Sequence, residues 1–396
     1  MRRFLTGFVC LAACADAGSD GPDVVVRDSA GVTIVEHPAP TETTPRWTID
    51  SVATLEIGML EGPPEYQFEW VAEAQRLDDG TILVADGGAS ELRFYDASGR
   101  HIRSAGRQGE GPGEFRGLGQ VWLGAADSIV VYDYQLARAS VFSPAGEFAR
   151  TYTLQQPEGV EFRVRPLILA GGRIVSSPGR SFGVGATAGV TRDTSRLYVH
   201  GPEGEVVDSL GRWPMNESFV ITDENSMMVT RRAFARGLSL AAAGDRFYVG
   251  NSDRWQVEVH DTSGLRRIIR MDVAPRPVDA AAIDSLRADR IDNGEPQWRE
   301  STERMLAAMS YPETMPVFGR MLVDAAGHLW VQDYAAEYLE RPIDWSVFDP
   351  DGRLIARVTV PVRFLITQIG EDWVLGVQRD EMDVQYVRVH RLARPE

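Results

Sequence analysis

Six short segments of the sequence repeat one arrangement of polar and apolar positions. Each begins with a turn rich in Gly, Asp or Ala, continues with an apolar run and usually ends at a polar residue. Short apolar runs between turn residues are typical of strands buried in a sheet. The segments are DDGTILVAD ending at Asp86, AADSIVVYD ending at Asp133, AGGRIVSSP ending at Pro178, AGDRFYVGN ending at Asn251, AAGHLWVQD ending at Asp333 and GEDWVLGV ending at Val377.

A second repeated element follows the first five segments: an aromatic residue or His, then a tight turn that contains Gly. The examples are FYDASG at 94–99, VFSPAG at 141–146, YVHGPEG at 198–204, EVHDTSG at 258–264 and VFDPDG at 347–352. Asp or Ser before a Gly-bearing turn, with β-branched and aromatic residues on both sides, predicts a hairpin. Each unit therefore supplies two strands, a turn and an outer strand.

The spacing of these units predicts the fold. Successive segment ends are separated by 47, 45, 73, 82 and 44 residues. Three intervals match one four-stranded propeller blade, and the two longer ones indicate insertions. The sixth unit lacks an outer strand, because only ARPE follows QYVRVHRL. We expect WTIDSVATLEIG near the N-terminus to complete the last blade and close the ring, which removes exposed sheet edges. The prediction is an all-β, six-bladed β-propeller over residues 24–396.

A helical insertion interrupts the repeat over about 277–310. In PVDAAAIDSLRADRI at 277–291, Val278, Ala282 and Leu286 recur at helical spacing. TERMLAAM predicts a second short helix, which we expect Pro312 and Pro316 to end. The insertion is either a surface excursion on the propeller rim or a lid over one face of the central channel. In the third unit, SPGRSFGVGATAGVTRDTS predicts a glycine-rich, mobile loop.

The stretch GRQGEGPGEF at 106–115 raises the question of a phosphate-binding loop. A nucleotide fingerprint needs a strand before its glycines and a helix after them, and no helix start follows here. IGMLEGPPEYQF at 57–68 repeats the same order of residue types, namely Gly, Gly-Pro, an acidic residue and an aromatic residue. We therefore interpret both stretches as joints between units. We expect Phe115 to pack between two blades.

The first unit carries a family resemblance. GTILVADGGASELRFYDASGRHIRSAGRQGEGPGEF resembles an NHL-type repeat, and the remainder is similar to six-bladed propeller lipoproteins of bacterial envelopes. The resemblance implies a fold over roughly residues 46–396. NHL-type propellers include protein-binding scaffolds, RNA binders, lyases and lactonase-like enzymes, so it names no reaction.

The N-terminus predicts export. MRRFLTGFVCLAAC combines two arginines, a short apolar run and small residues before Cys14, a secretory pattern too short to span a bilayer. Leu11 to Cys14 resembles a bacterial lipobox, which implies cleavage before Cys14 and lipidation of that cysteine; ordinary secretion is the alternative. Residues 1–13 are then a lipoprotein signal peptide and 14–23 a flexible tether. By family analogy, Ala15 favours the outer membrane, with the protein facing the periplasm.

The amino-acid composition limits the partners and the chemistry that we expect of this protein. The net charge is -16, from 57 acidic and 41 basic residues, and none of the basic residues is Lys. An acidic chain lacks the basic stripe of a nucleic-acid surface, and the absence of Lys excludes Schiff-base and P-loop chemistry. We therefore expect no nucleic-acid partner.

Candidate catalytic motifs lack their context. Ser181 lies in a G-x-S-x-G pattern, but GVGATAG follows, which cannot form the helix of a nucleophile elbow. His200 and His260 share a repeat position with Tyr95, Phe142 and Phe348, so we interpret them as packing residues, with His390 as a further candidate for the position. His37, His101 and His328 complete the set of histidines, and a metal site assembled across blades stays open.

Two charged groups have alternative interpretations. Asp86, Asp133 and Asp333 are equivalent strand ends, which either form a cation-binding ring of carboxylates or accept backbone hydrogen bonds in their own turns. We adopt the second interpretation because the position recurs. Arg231 and Arg232, with Arg236 nearby, either face an anionic ligand or form a solvated surface paired with acids. The sequon at Asn216 carries little meaning in a bacterial lipoprotein.

These observations favour a non-catalytic binding module, held at the membrane by lipid on Cys14, that presents its loops or channel mouth to a protein or glycan of the cell envelope. No catalytic residue, metal ligand, cofactor or ligand-binding residue is assigned. The alternative is a metal-dependent lactonase- or lyase-like enzyme with a divalent ion in the channel. A third hypothesis makes the chain a structural part of an envelope complex, docked through the helical insertion.

Overall fold

The computed structural model describes residues 24–157, 166–177, 187–223, 226–336 and 340–395. The signal peptide, the tether, Cys14 and Ser181 lie outside the described residues. Within the described part the protein is all-β, with several sheets and two α-helices. None of the helices in the described ranges has the length and apolar character needed to span a bilayer.

The strands follow one another through the whole chain. The first fifteen are β1 (Val25–Ser29), β2 (Val32–His37), β3 (Arg46–Ile57), β4 (Val71–Arg76), β5 (Ile82–Asp86), β6 (Glu91–Tyr95), β7 (His101–Ala105), β8 (Leu118–Leu123), β9 (Ile129–Asp133), β10 (Arg138–Phe142), β11 (Phe148–Thr153), β12 (Leu167–Ile168), β13 (Ile174–Ser176), β14 (Gly189–Thr191) and β15 (Thr194–His200). The remainder are β16 (Val206–Pro214), β17 (Ser218–Asp223), β18 (Ser226–Arg231), β19 (Leu238–Ala243), β20 (Arg246–Asn251), β21 (Gln256–Asp261), β22 (Gly264–Met271), β23 (Phe318–Val323), β24 (Leu329–Asp333), β25 (Ile343–Phe348), β26 (Leu354–Val360), β27 (Phe364–Ile369), β28 (Trp373–Arg379) and β29 (Gln385–Ala393).

The sheets are built from groups of four strands. β4 to β7, β8 to β11, and β12, β13, β15 and β16 each form an antiparallel sheet. β19 to β22 form a fourth group, which β2 extends by parallel pairing with β22, leaving β1 at the edge. An eight-stranded sheet contains β23 to β26 and the order β3-β29-β28-β27, and a short parallel contact between β26 and β3 joins its halves. The topology is therefore mixed.

The six apolar segments of the sequence repeat are strands β5, β9, β13, β20, β24 and β28, each the second strand of its group. The predicted N-terminal strand is β3, which pairs antiparallel with β29, so that Leu55 lies opposite Val389. Its pairing with the C-terminal group is confirmed.

Buried apolar side chains pack between neighbouring groups. Among the described residues, one cluster joins β4–β7 to β8–β11, and others join each group to the next along the chain. A further cluster, which includes Val84, Val377 and Val389, joins the C-terminal group to β4–β7. First strands of neighbouring groups also touch, as β27 touches β4 and β19 touches β23. The core therefore lies between the groups, and the last group shares part of it with the first.

The joint at 106–115 packs as expected. The Phe115 side chain is fully buried in the cluster between β4–β7 and β8–β11, with its ring 5.9 Å from that of Phe142. Gly106 has a φ of 85°, and a Cβ added there would lie 2.5 Å from the Phe115 ring. The glycine therefore serves both the turn and the close approach of the aromatic ring.

One repeat position is the same in all six groups. It is the position on the third strand at which the pairing with the outer strand shifts register, as a β-bulge does. The residues there are all buried: Tyr95, Phe142, His200, His260, Phe348 and His390. The expectation that these histidines are packing residues is confirmed, including the one for His390.

The helical insertion consists of α1 (Ala280–Asp292) and α2 (Arg299–Ala308). The Asp279 side chain caps α1 by accepting a hydrogen bond from the Ala282 amide at 2.8 Å. Leu286 and Leu306 are buried in a cluster with Phe219 and Phe234, and Val278 and Ala282 pack against it. The predicted second helix is confirmed: α2 begins three residues before TERMLAAM and ends at Ala308, one residue before the end of that segment and ahead of both prolines.

The insertion in the third unit is a small sheet that the sequence pattern did not predict. β17 and β18 form a hairpin, and β14 pairs with β17. The expected glycine-rich loop is thus wrong at Gly189–Thr191, where backbone pairing with Ser218–Val220 holds the chain as a strand. The part of that loop at 178–186 lies outside the described residues.

Candidate functional site

Two of the three equivalent aspartates are occupied by their own backbone surroundings. Asp86 Oδ1 accepts hydrogen bonds from the amides of Gly88 and Ala89 at 3.1 and 3.2 Å. Asp133 likewise accepts from four backbone amides, those of Arg116, Gly117, Gln135 and Leu136. Both carboxylates are buried. Their interpretation as backbone acceptors is confirmed.

Asp333 differs from its two counterparts. Its carboxylate accepts hydrogen bonds from the two terminal nitrogens of the Arg357 guanidinium group, at 2.9 and 2.6 Å, and so forms a bidentate pair. Asp344 lies 3.4 Å from the same guanidinium. Burial would lower the pKa of Arg357, but the hydrogen bond and the charge of Asp333 raise it above its ordinary value. For Asp333 the expectation of backbone acceptance in its own turn was wrong, because this ion pair holds the carboxylate instead.

The histidines do not converge. His200 lies 2.7 Å from the Ser176 hydroxyl, and His260 stacks on Phe247 with ring centroids 5.0 Å apart. His328 lies 2.9 Å from Asp324, and His37 contacts the carbonyl of Gly352. In the described ranges, no three His, Cys, Asp or Glu residues come close enough to hold a metal ion. The donors that the metal-dependent alternative requires are therefore not brought together in this part of the chain.

A cavity of about 810 Å³ lies at one end of several strands, and we call it the arginine cavity. It lies where β19, β23 and β27 begin and β24 and β28 end, and the segment 231–237 and helix α1 complete its wall. Buried Phe318 and Phe364, the first residues of two of these strands, lie in its apolar part. Leu286 and Arg290 of α1 also line it. The helical insertion thus forms part of the wall of a cavity, as the second interpretation of the insertion requires.

The wall is strongly cationic. Glu340 is the single acidic residue among the described residues that line the cavity. The arginines of the wall are Arg231, Arg232, Arg290, Arg320, Arg341, Arg363 and Arg379. Such an excess of positive charge is unexpected in a chain of net charge -16. Because the guanidinium group stays protonated, the site carries this charge at any ordinary pH.

Some of these arginines are held in place by the protein. Arg232 donates to Glu217 at 3.3 Å and to the Ser310 carbonyl at 2.8 Å, with only 12% of its side chain exposed. Arg363 is paired with Glu340 and donates to the Asp380 carbonyl at 2.7 Å. The hydrogen bond with Glu340 raises the pKa of Arg363. These two side chains are parts of the wall.

Two others have no such partner. Within the part of the chain that the structure describes, the side chains of Arg341 and Arg379 make no hydrogen bond or ion pair. The backbone amide of Arg379 donates to the backbone carbonyl of Arg363 at 3.3 Å, so Arg379 lies directly beside Arg363. Arg341 and Arg379 are exposed, and they are the arginines best placed to meet a ligand.

Backbone conformation also marks this site. Phe234 and Arg363 adopt left-handed φ angles of 52° and 56°, which are costly for residues with large side chains. Both line the arginine cavity. Strain of this kind persists where the surrounding structure imposes it, and it is frequent at binding sites.

The sequence pointed to one part of this site. The dense basic stretch places Arg231 and Arg232 on the cavity wall, whereas Arg236 lies behind it, donating to Thr314 at 2.8 Å. Arg232 is paired with an acid, as the second interpretation expects, and it also borders the cavity. Arg320, Arg341, Arg363 and Arg379 were missed, because each is an isolated basic residue in the sequence.

Comparisons with known proteins agree on the fold. No protein-family model matches the sequence, and no curated protein sequence matches it either. A protein from Bacteroides fragilis described as a candidate exported protein superposes with a TM-score of 0.50 and 13% identity, covering 92% of this chain and 100% of that one. A member of the DUF4221 family from Bacteroides vulgatus gives a TM-score of 0.52 and 10% identity, covering 88% and 99%.

A gluconolactonase from Xanthomonas campestris matches less well, with a TM-score of 0.42 and 10% identity over 82% of this chain and 87% of that one. The neighbours are β-propeller-like proteins, and the likeness shows the fold alone.

Proposed function

We propose that this protein is a non-catalytic binding module of the cell envelope, built as a closed, six-bladed, NHL-like β-propeller. The six four-stranded groups support the blade count. The apolar clusters between consecutive groups, and the one between the last group and the first, support closure of the ring. In such a ring the first strand of each blade lines the central channel.

The arginine cavity is the proposed binding site, and it is the observation that carries the proposal. First strands of three successive groups begin at its wall, which supports a position at one mouth of the proposed channel. Its volume of about 810 Å³ lies within the range of small-ligand sites. The partner would be a protein or glycan of the envelope.

Binding is favoured over catalysis by the chemistry of the wall. Arginines can orient and hold an anionic group. Their guanidinium groups stay protonated at ordinary pH, however, so they cannot accept a proton as a general base does. Lactonase or lyase chemistry would require carboxylate, Asn and His side chains converging on one point. The aspartates and histidines considered for that role are occupied by structural hydrogen bonds or by packing elsewhere in the described part.

The proposed location is the periplasmic face of the outer membrane, with lipid on Cys14 as the anchor. The lipobox-like sequence before Cys14 supports it. One neighbour of the fold is described as a candidate exported protein, in keeping with export. The polar segment 14–23 would let the propeller stand away from the bilayer.

Site-specific photocrosslinking in living cells tests the binding site. Leu365 lines the cavity and Ile102 lies on the outer strand β7, and each side chain is 46% exposed. With a photoreactive residue at one position or the other, we expect a defined envelope component to crosslink at 365 and not at 102. Equal labelling at both positions, or none at 365, would refute the cavity as the binding site.

A further inference from the structure

The positive charge of the arginine cavity favours an anionic ligand. We infer that the cavity binds an acidic oligosaccharide, a short chain of sugars that carry carboxylates. This inference rests on the proposed binding function and names the ligand of the same site. The guanidinium groups of Arg341 and Arg379, which have no partner in the described structure, leave positive charge at this concave surface, and an anionic ligand neutralises that charge.

The available charges lie on separate elements, which indicates a ligand with more than one anionic group. Arg341 precedes β25, and Arg379 ends β28. A single phosphate would be met by one tight cluster of donors. An acidic oligosaccharide presents one carboxylate on each ring, and arginine pairs with carboxylates through two parallel hydrogen bonds.

The mixed character of the wall fits a sugar. Leu238, Ile343 and Leu365 give it apolar patches, while Ser239 and Gln332 offer polar groups. Sugar rings combine apolar C–H faces with hydroxyl groups, and such a wall can contact both. An acidic protein partner would need roughly 800 Å² of contact on each side, whereas this site is concave and compact.

The test compares three probes on the full chain by isothermal titration calorimetry. The first is a galacturonic acid trimer, the second is the same trimer with its carboxylates methyl-esterified, and the third is a glutamate peptide of equal charge. We expect binding of the acidic trimer that weakens as salt is added, and affinity at least about tenfold lower for the ester and for the peptide. Equal affinity for the ester would overturn the inference, and tighter binding of the peptide would replace the sugar with an acidic polypeptide.

Variants assign the binding to the cavity. Arg341→Gln and Arg379→Gln each remove one guanidinium that has no partner in the described structure, so the fold should be retained. Each should weaken binding of the acidic trimer about tenfold. Arg391→Gln is the matched control, because Arg391 is an exposed arginine on β29 away from the cavity.

Unchanged affinity in both cavity variants would overturn the inference. If no probe binds while Leu365 still crosslinks a partner, the ligand class is wrong and the proposed binding function stands.

Discussion

Replacing Phe115 with Ala should destabilise the protein strongly. The ring is fully buried between the groups β4–β7 and β8–β11, where it contacts the Phe142 ring and the backbone of Gly106. Removing a buried phenylalanine side chain costs about 3–5 kcal/mol in the free energy of unfolding, through lost burial and the cavity left behind. Urea unfolding followed by tryptophan fluorescence would measure the change.

Phe148→Ala is the matched control. Phe148 touches the same Phe142 ring, with centroids 5.7 Å apart, but its side chain is 37% exposed. Its loss should cost about 1 kcal/mol or less. If the two variants lose the same stability, or if Phe115→Ala loses less than about 1 kcal/mol, the stretch 106–115 is not a packed joint between groups and the reasoning fails.

Three further predictions concern pH, the anchor and metal. Burial lowers the pKa of His200, and the hydrogen bond with the Gly204 carbonyl offsets only part of that change. The unfolded chain then binds the proton first, so stability should fall as the pH drops from about 7 to 5, and less steeply in His200→Gln; equal slopes in pH-dependent urea unfolding would contradict this. Cys14→Ser should abolish palmitate labelling and release the protein from membranes, whereas retained labelling would rule out the anchor. A chelator should leave the thermal midpoint unchanged, because no metal-ligand cluster exists among the described residues; a clear decrease in differential scanning calorimetry would argue for a structural ion.

Repetition made much of the fold predictable. An apolar run recurred before a polar stop, and its six copies are strands at equivalent places in their groups. The packing role of His200 and His260 was predictable because Tyr95 and Phe348 occupy the same position in other copies of the repeat. The hairpin β17–β18 was missed because it occurs once, so no second copy gave its strands a register to compare.

The candidate site was far less predictable. A binding surface assembled from chain segments far apart leaves no local signal, and Arg320 and Arg379 look like ordinary surface residues in the sequence. Arg231 and Arg232 were noticed only because they are adjacent. Asp333 shows the opposite error: its place in the repeat suggested the role of Asp86 and Asp133, but Arg357, two strands away on β26, gave it a different partner. Which side chains pair across strands depends on the three-dimensional fold, so these pairs cannot be predicted from one segment of the sequence.

The strand β3 has a consequence for the order in which the molecule is made. It is synthesised well before β29, the strand with which it pairs, and its Trp47 packs against Trp330 and Arg394. A polypeptide emerging from the ribosome therefore cannot complete this sheet until β29 and the chain between the two strands are free. The sheet that contains β3 and β29 is therefore completed later than the intervening groups of strands can be.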